Sequence, residues 1–494
     1  MGAQGPVAVL DWNRLHPPFG VRKMLPDQKL AQFSGRLLMI GCGSIGQGVL
    51  PLILRHIDLE PSRISILTAD TRGQLVAQQY GLAFQILPLT QANYASILAP
   101  RLSAGDLLLN LSVDVSSASL IDWCCRHGVR YIDTCIEPWA GTYTDATLSA
   151  SQRSNYTLRE HAHILKAQFP QAPSCVLAHG ANPGLVSHFL KQALLDIARD
   201  TGQAVDVPTS QPEWARLAHA LGLKVIHIAE RDTQVAAAPQ QMGEFVNTWS
   251  IDGFASEAQQ PAELGWGTHE RLFPADARRH GYGHDSAIYL TRPGAATQVR
   301  SWTPLAGPQH GFLITHNESI SIADYFTLRT GDQVSYRPTC HYAYHPCDAA
   351  VLSLLELAGR NWCVQERQRL ILDEVISGTD ELGVLLMGHA KGAYWYGSRL
   401  GIEPARRLAA HNNATSLQVV AGVLAALVWV LEHPWEGIVE AEEIDFQRVL
   451  EIARPYLGEM VGVYSDWTPL QGRGSLFEED LDCSDPWQFK NFRV

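Results

Sequence analysis

Arg36-Leu37-Leu38-Met39-Ile40-Gly41-Cys42-Gly43-Ser44-Ile45-Gly46-Gln47-Gly48 carries an apolar run straight into the pattern G-x-G-x-x-G. The run has the length of a buried strand, and the glycines fall where a strand turns into a helix. In that context the first glycine permits the tight turn, the second lets the backbone approach a pyrophosphate, and the third lets the helix from about Ile45 pack on the sheet. A second apolar run, Arg63 to Thr68, leads to Asp70, at the spacing where a carboxylate meets the adenosine ribose hydroxyls. Strand, glycines, helix, strand and acid in that order predict a dinucleotide site held by Gly41, Gly43, Ser44, Ile45, Gly46 and Asp70. Asp70 favours NAD over NADP because it would repel a 2′-phosphate, while Arg72 keeps the second reading open. The alternative is a glycine-rich turn in some other parallel sheet.

Working outward, Ala83 to Leu87, Asp106 to Leu111, Val129 to Asp133 and Cys175 to Ala178 are the next four apolar strands, which makes six for a doubly wound Rossmann-type sheet. Ligands in such sheets sit beyond the carboxyl ends of the strands. The residues just past each run are therefore the candidates: Asn110, Ser112 and Asp114 after the fourth, Thr134 and Glu137 after the fifth, and Asn182 after the sixth. Asn110, Ser112 and Thr134 are expected on the cofactor. Asp and Asn are also ordinary turn residues, and Asn182 alone reads equally well as a helix cap, with Pro183 opening the helix.

Beyond Ser187 the pattern changes to that of a second α+β domain with an open mixed or antiparallel sheet. Pro208 to Pro212 reads as a linker. Leu223 to Glu230 alternates so that Ile226, Ile228 and Glu230 share a face, and a carboxylate there must find a partner or bind a cation. Glu244 to Ile251 is predicted as a strand carrying Trp249, with Glu257 following a short loop. Gly311 to Phe326 is predicted as a long strand with His316 at its middle, and Gly383 to Leu400 as a hairpin. Asn412 or Asn413 caps an apolar helix from Thr415 to Leu431 that returns to the nucleotide domain or joins an oligomer interface. The expected organisation is an extension over residues 1–35, an NAD domain over 36–185, a substrate and dimerisation domain over 186–410, and a helical segment over 411–494.

The bulk composition narrows the function classes. The chain has 494 residues, 46% hydrophobic and 18% charged, as expected of two or three globular domains. A net charge of -12 argues against a nucleic-acid binder and suits a small cationic substrate. Nine cysteines without a C-x-x-C point away from a disulfide framework and toward a reducing cytoplasm. No signal peptide is expected, and the longest apolar run, Val419 to Leu431, is too short to span a bilayer, so no membrane partner is predicted. Cys340, His341, His345 and Cys347 invite a metal reading, but their spacing fits no familiar zinc pattern, and no metal is expected.

The segments Met39 to Gly46, Asp133 to Trp139, Gly180 to Gly184, His227 to Gln234, Asn247 to Ser250 and Pro261 to Glu270 together resemble the bacterial homospermidine synthases, relatives of the saccharopine-dehydrogenase-like enzymes. The resemblance implies an NAD-dependent homodimer that condenses two putrescine molecules into sym-homospermidine, releases ammonia, and uses NAD without net turnover. By the same match Asp114, Glu137, Asn182, Glu230, Trp249, Glu257 and His316 form the substrate pocket. Glu137 and Asp114 would engage the reacting amine, Glu230 and Glu257 the distal ammonium, His316 proton traffic, and Trp249 the cationic intermediate through its ring. Two rivals remain at this stage: a saccharopine-type reductive aminase, whose carboxylate-bearing substrate calls for Arg or Lys in the pocket, and a non-catalytic dinucleotide-binding protein.

Overall fold

The computed structural model describes residues 28–203 and 205–494; most of the predicted N-terminal extension therefore lies outside the described residues. Two sheets organise the chain. The first is parallel and seven-stranded, in the order Ile438–Glu440, Cys175–Leu177, Arg130–Asp133, Leu107–Asn110, Leu37–Ile40, Ile64–Thr68, Ala83–Ile86. Six of these strands are the predicted ones. The seventh, Ile438–Glu440, arrives from far down the chain and extends the edge beside Cys175–Leu177. Leu37 to Ile40 are buried on both faces, which is why the strand reads as an uninterrupted apolar run.

The second sheet is mixed and ten-stranded. At its centre Val225–Asp232 lies parallel to Thr339–His345 and antiparallel to Thr379–Met387. The predicted hairpin is present, with Thr379–Met387 paired to Ala393–Gly401. Trp467, Trp487, Phe489 and Phe492 bring the C-terminal tail back over one face in a separate apolar cluster. Between Trp467 and Trp487 the chain is exposed at Leu476 and Phe477 and becomes buried again at Asp485, which pairs with Lys224 at 2.9 Å.

The apolar helix spans Ala414–Glu432, capped by Asn413, whose side chain accepts from the Ser416 N–H while the Ser416 hydroxyl accepts from Asn413 N–H. It is the one helix among the described residues long and apolar enough to cross a membrane, and it lies buried in the protein interior. It packs on helix Ser44–His56 and touches strands of both sheets, so one core joins the two halves. At Gly422 a Cβ would come within 2.0 Å of the Gly180 carbonyl oxygen, so only glycine allows the helix this close to the Gly180 loop.

Four local expectations are corrected. Pro208 to Pro212 is not all linker, because Ser210 and Glu213 form a capping box and the helix Gln211–Ala220 has already begun. The strand from Glu244 ends at Asn247, because the Ser250 hydroxyl accepts from Gly253 N–H at 3.1 Å and starts the helix Ile251–Gln259. Glu257 therefore sits on a helix and Trp249 in the turn before it. The strand from Gly307 stops at Phe312, and His316 caps the helix Asn317–Tyr325. That segment is buried on all sides, and burial without alternation does not distinguish strand from helix. Pro183 lies in the turn before the helix Leu185–Asp200, which begins after Gly184 at φ 121°.

Candidate active site

The glycine turn shows which of its residues the protein needs for itself. A Cβ at Gly41 (φ 87°) would sit 2.6 Å from the Leu111 carbonyl oxygen, and one at Gly46 would sit 2.9 Å from the Gly41 oxygen. A Cβ at Gly43 would meet nothing within 4 Å. The helix Ser44–His56 also has no side-chain cap at Gly43, leaving its first N–H groups to a ligand. Open space at an uncapped helix N-terminus is the cradle a pyrophosphate requires, so the residues present fit a dinucleotide. Asp70 accepts from Arg72 at Oδ1 (2.8 Å, backbone) and Oδ2 (2.7 Å), which holds its carboxyl below the usual range, and Arg72 reaches on to Asp252 at 3.4 Å. Asn110 accepts from the Ser112 hydroxyl at 2.6 Å.

Past the strand ends a cavity of about 120 Å³ opens, lined by both halves of the molecule. Ile45, Ser112, Thr134, Glu137 and Asn182 come from the nucleotide side; Glu230, Trp249, Glu257 and His316 come from the second. Among the described residues no Lys or Arg lines it. Three of the four predicted carboxylates thus converge. The fourth, Asp114, is exposed and outside the lining set, at φ 62°, and reaches the site through its backbone N–H, 3.4 Å from Glu137 Oε2. Gly41, Gly43, Ser44, Gly46, Asp70 and Asn110 also lie outside the lining, on the nucleotide turn and neighbouring strand ends.

Glu137 is placed by its loop, whose backbone N–H donates to the Ser117 hydroxyl at 3.0 Å. Its carboxylate receives only long contacts, from Asp114 N–H and from Cys135 Sγ at 3.5 Å. Burial pushes its carboxyl up to about 8, with the Asp114 and Glu257 carboxylates adding to the rise. Glu230, 2% exposed, accepts from Asn182 Nδ2 at 2.8 Å and from the Tyr342 hydroxyl. Burial and the nearby Asp232 carboxylate push it to about 8 despite those donors. Among the described residues no Lys or Arg pairs with it: an amide and a phenol hold this acid.

His316 stands between two carboxylates, with Nε2 3.1 Å from Glu257 Oε2 and Nδ1 3.1 Å from Glu318 Oε1. Burial alone would push the imidazole down, but Glu318 and Glu257 outweigh it and raise its pKa well above the usual value. Burial likewise raises Glu257 even with His316 beside it. An aromatic wall completes the site. Trp249 Nε1 donates to the Tyr344 hydroxyl at 3.2 Å, Tyr344 stacks on Tyr342 at 5.1 Å and 4°, and Tyr342 lies 4.4 Å from the His316 ring.

Tyr342, Tyr344 and Glu318 were not among the predicted site residues. Tyr342 and Tyr344 sit in the Cys340 to Cys347 cluster considered for metal. Strand alternation sends Cys340, Tyr342 and Tyr344 to one core and His341 to the other, against His227, so these residues cannot converge on one ion. Period-two spacing of the tyrosines was the available signal. Glu263, fully buried, accepts from Asn155 N–H (2.8 Å), Tyr156 N–H (3.2 Å) and the Thr315 hydroxyl (2.7 Å), and so fixes two residues of the lining.

Comparison with known proteins agrees with this geometry. Residues 37–177 match the family model described as saccharopine dehydrogenase NADP binding domain, and residues 180–465 match saccharopine dehydrogenase C-terminal domain. The chain is 52% identical over 467 residues to the homospermidine synthase of Blastochloris viridis, covering 94% of this chain and 98% of that one. It is 49% identical over 470 residues to that of Mesorhizobium japonicum, covering 94% and 97%. Its fold matches the crystal structure of the homospermidine synthase from Legionella pneumophila in complex with NAD, with a TM-score of 0.88 and 50% identity over 94% of this chain and 98% of that one.

Proposed function

This chain belongs to the homospermidine synthase family, and from that premise we propose that it condenses two putrescine molecules into sym-homospermidine with release of ammonia. It is an NAD-dependent aminobutyl-transferring enzyme; NAD held at the glycine turn would supply a hydride acceptor for the amine-bearing carbon and, once reduced, the hydride donor that completes the condensation without net oxidation. The observation that carries the substrate class is a cavity with Glu137, Glu230 and Glu257 in its wall and, among the described residues, no Lys or Arg. A dicarboxylate substrate of the saccharopine type would find no Lys or Arg there, and the one imidazolium, His316, is already held between two acids, whereas a diammonium finds three carboxyls.

Putrescine must lose a proton at its reacting end, because an ammonium has no lone pair to assist hydride departure. Glu137, a buried carboxyl with only long hydrogen bonds and a pKa near 8, is the base for that end. Glu230, oriented by Asn182 and Tyr342, and Glu257, backed by His316, hold the distal ammonium. A cation between them draws both carboxyls back toward the charged form. His316, kept protonated by two acids, positions Glu257 and passes protons to it. Trp249 faces the iminium through its ring, a contact worth about 0.5 to 2 kcal/mol when desolvated. The attraction grows as charge develops, so it acts on the transition state.

Asp114, at the surface beside Glu137, receives the second amine as it arrives. Gly41, Gly43, Ser44, Ile45, Gly46, Asp70, Asn110, Ser112 and Thr134 hold the cofactor. The assembly is a homodimer in the cytoplasm; Leu352 and Leu355, about half exposed on one face of the helix Asp348–Gly359, support an apolar contact with a second copy. Incubation of the protein with putrescine and NAD tests the activity. Ammonia and homospermidine with no accumulating NADH are expected; steady NADH appearance would make it a dehydrogenase, and no product at all a dinucleotide-binding protein.

A further inference from the structure

A second cavity of about 460 Å³ lies between the helix Asn155–Gln168, the helix Asn317–Tyr325 and the loop bearing His284. His163, His284 and Asp324, one from each segment, present ligand atoms that all lie within 4.8 Å of one another. The geometry points to a divalent transition-metal site at these three residues, separate from the cavity where the diamine is proposed to react.

Three features support it. The His284 Nδ1 is held by both oxygens of Glu160, at 2.9 and 3.0 Å, leaving the other ring nitrogen free to coordinate. A carboxylate behind a histidine in this way fixes tautomer and ring orientation at metal centres. The His163 Nε2 is buried, makes no hydrogen bond, and lies 3.5 Å from Glu440 Oε2, which places a fourth oxygen beside the cluster. Charge gives the third. Glu160, Asp324 and Glu440 are three carboxylates, and Arg159 is the guanidinium bonded among them, to Glu440 at 2.6 Å and Asp324 at 2.9 Å. Lys166 is paired with Glu443, and Arg216 and Arg329, though they line the cavity, pair with none of the three. With neutral imidazoles, the three carboxylates and Arg159 leave two negative charges, partly offset at Asp324 by the buried Arg337 guanidinium, and a divalent ion suits the remainder. Two nitrogens and a carboxylate select Zn²⁺, Co²⁺ or Ni²⁺ over Mg²⁺ or Ca²⁺.

The consequence for the protein is mechanical. Both helices begin in the active-site cavity, at Asn155 and at Asn317, and carry their metal ligands further along. An ion at His163, His284 and Asp324 clamps those two helices together and so steadies the catalytic wall.

Titration of chelator-treated, full-length protein with Zn²⁺ by calorimetry, with metal content measured after gel filtration, tests this. One tightly bound equivalent and a raised Tm are expected, together with a Co²⁺ d–d band. All three are lost in the His163→Ala/His284→Ala double variant. Glu160→Gln, which keeps the fold and alters only the orienting carboxylate, is expected to weaken binding about 10- to 100-fold, and Lys166→Ala to leave it unchanged. Failure to bind a stoichiometric ion, or equal binding by the double variant, overturns the site.

Discussion

The indole N–H of Trp249 donates to the hydroxyl of Tyr344 at 3.2 Å, which ties a residue in a turn to the central sheet. The bond fixes the ring plane, so the face of the indole is a fixed part of the cavity wall. Replacement by Phe keeps a ring and loses the tether; replacement by Leu loses both. Trp249→Phe is therefore expected to retain about 2- to 30-fold more kcat/KM for putrescine than Trp249→Leu, the range that corresponds to 0.5 to 2 kcal/mol. Equal loss in both would make the indole a packing residue.

Glu230→Gln keeps shape and still accepts from Asn182 and Tyr342, so the loss isolates the charge. We expect the putrescine KM to rise about 10- to 100-fold with NAD affinity unchanged, in line with about 1.5 to 3 kcal/mol for a hydrogen bond to a charged group. Diamine saturation like that of the wild type would remove Glu230 from the anchor.

The pH dependence follows from Glu137 and Glu230, both near 8 against an ordinary value of 4.5. Each carboxyl binds its proton more tightly folded than unfolded. Its contribution to stability is thus complete below about 4.5 and is lost as pH rises through about 8. Without ligand, these two groups are expected to lower Tm as pH rises from about 4.5 to about 8 and to add no further slope above that, and Glu137→Gln flattens the fall. Putrescine, which favours the ionised acids, stabilises more at the alkaline end, and kcat/KM rises through about pH 8. A thermal-shift series across pH with and without putrescine reads both.

Gly43→Ala and Gly41→Ala separate ligand space from protein space. The first adds a methyl where no protein atom lies within 4 Å, so the fold persists and NAD affinity drops at least about tenfold, as measured by calorimetry. The second forces a side chain onto φ 87° and against the Leu111 backbone, so Tm itself falls. A Gly43→Ala protein that binds NAD normally would move the pyrophosphate elsewhere.

The nucleotide sheet was legible because its strands are buried on both faces and its glycines have local reasons to exist. Glu137, Asn182 and Glu230 were legible as polar residues at the ends of apolar runs. Trp249, Glu257 and His316, which line the cavity, were named through the resemblance while their elements were misread, since Ser250 starts a helix where alternation predicts continued strand. Tyr342 was not found. Its role depends on the strand Thr339–His345 lying beside Val225–Asp232, more than a hundred residues earlier, and no local pattern encodes that register. The edge strand Ile438–Glu440, three residues long, was missed for the same reason.

The helix Ala414–Glu432, with its backbone against Gly180, has a last consequence. Where the nucleotide sheet and the mixed sheet share a single interior rod, parting the two along that seam would mean unpacking the rod's buried sides. Such a frame suits chemistry in which the electron pair is lent and repaid on the spot, because nothing about the turnover asks the lender to leave.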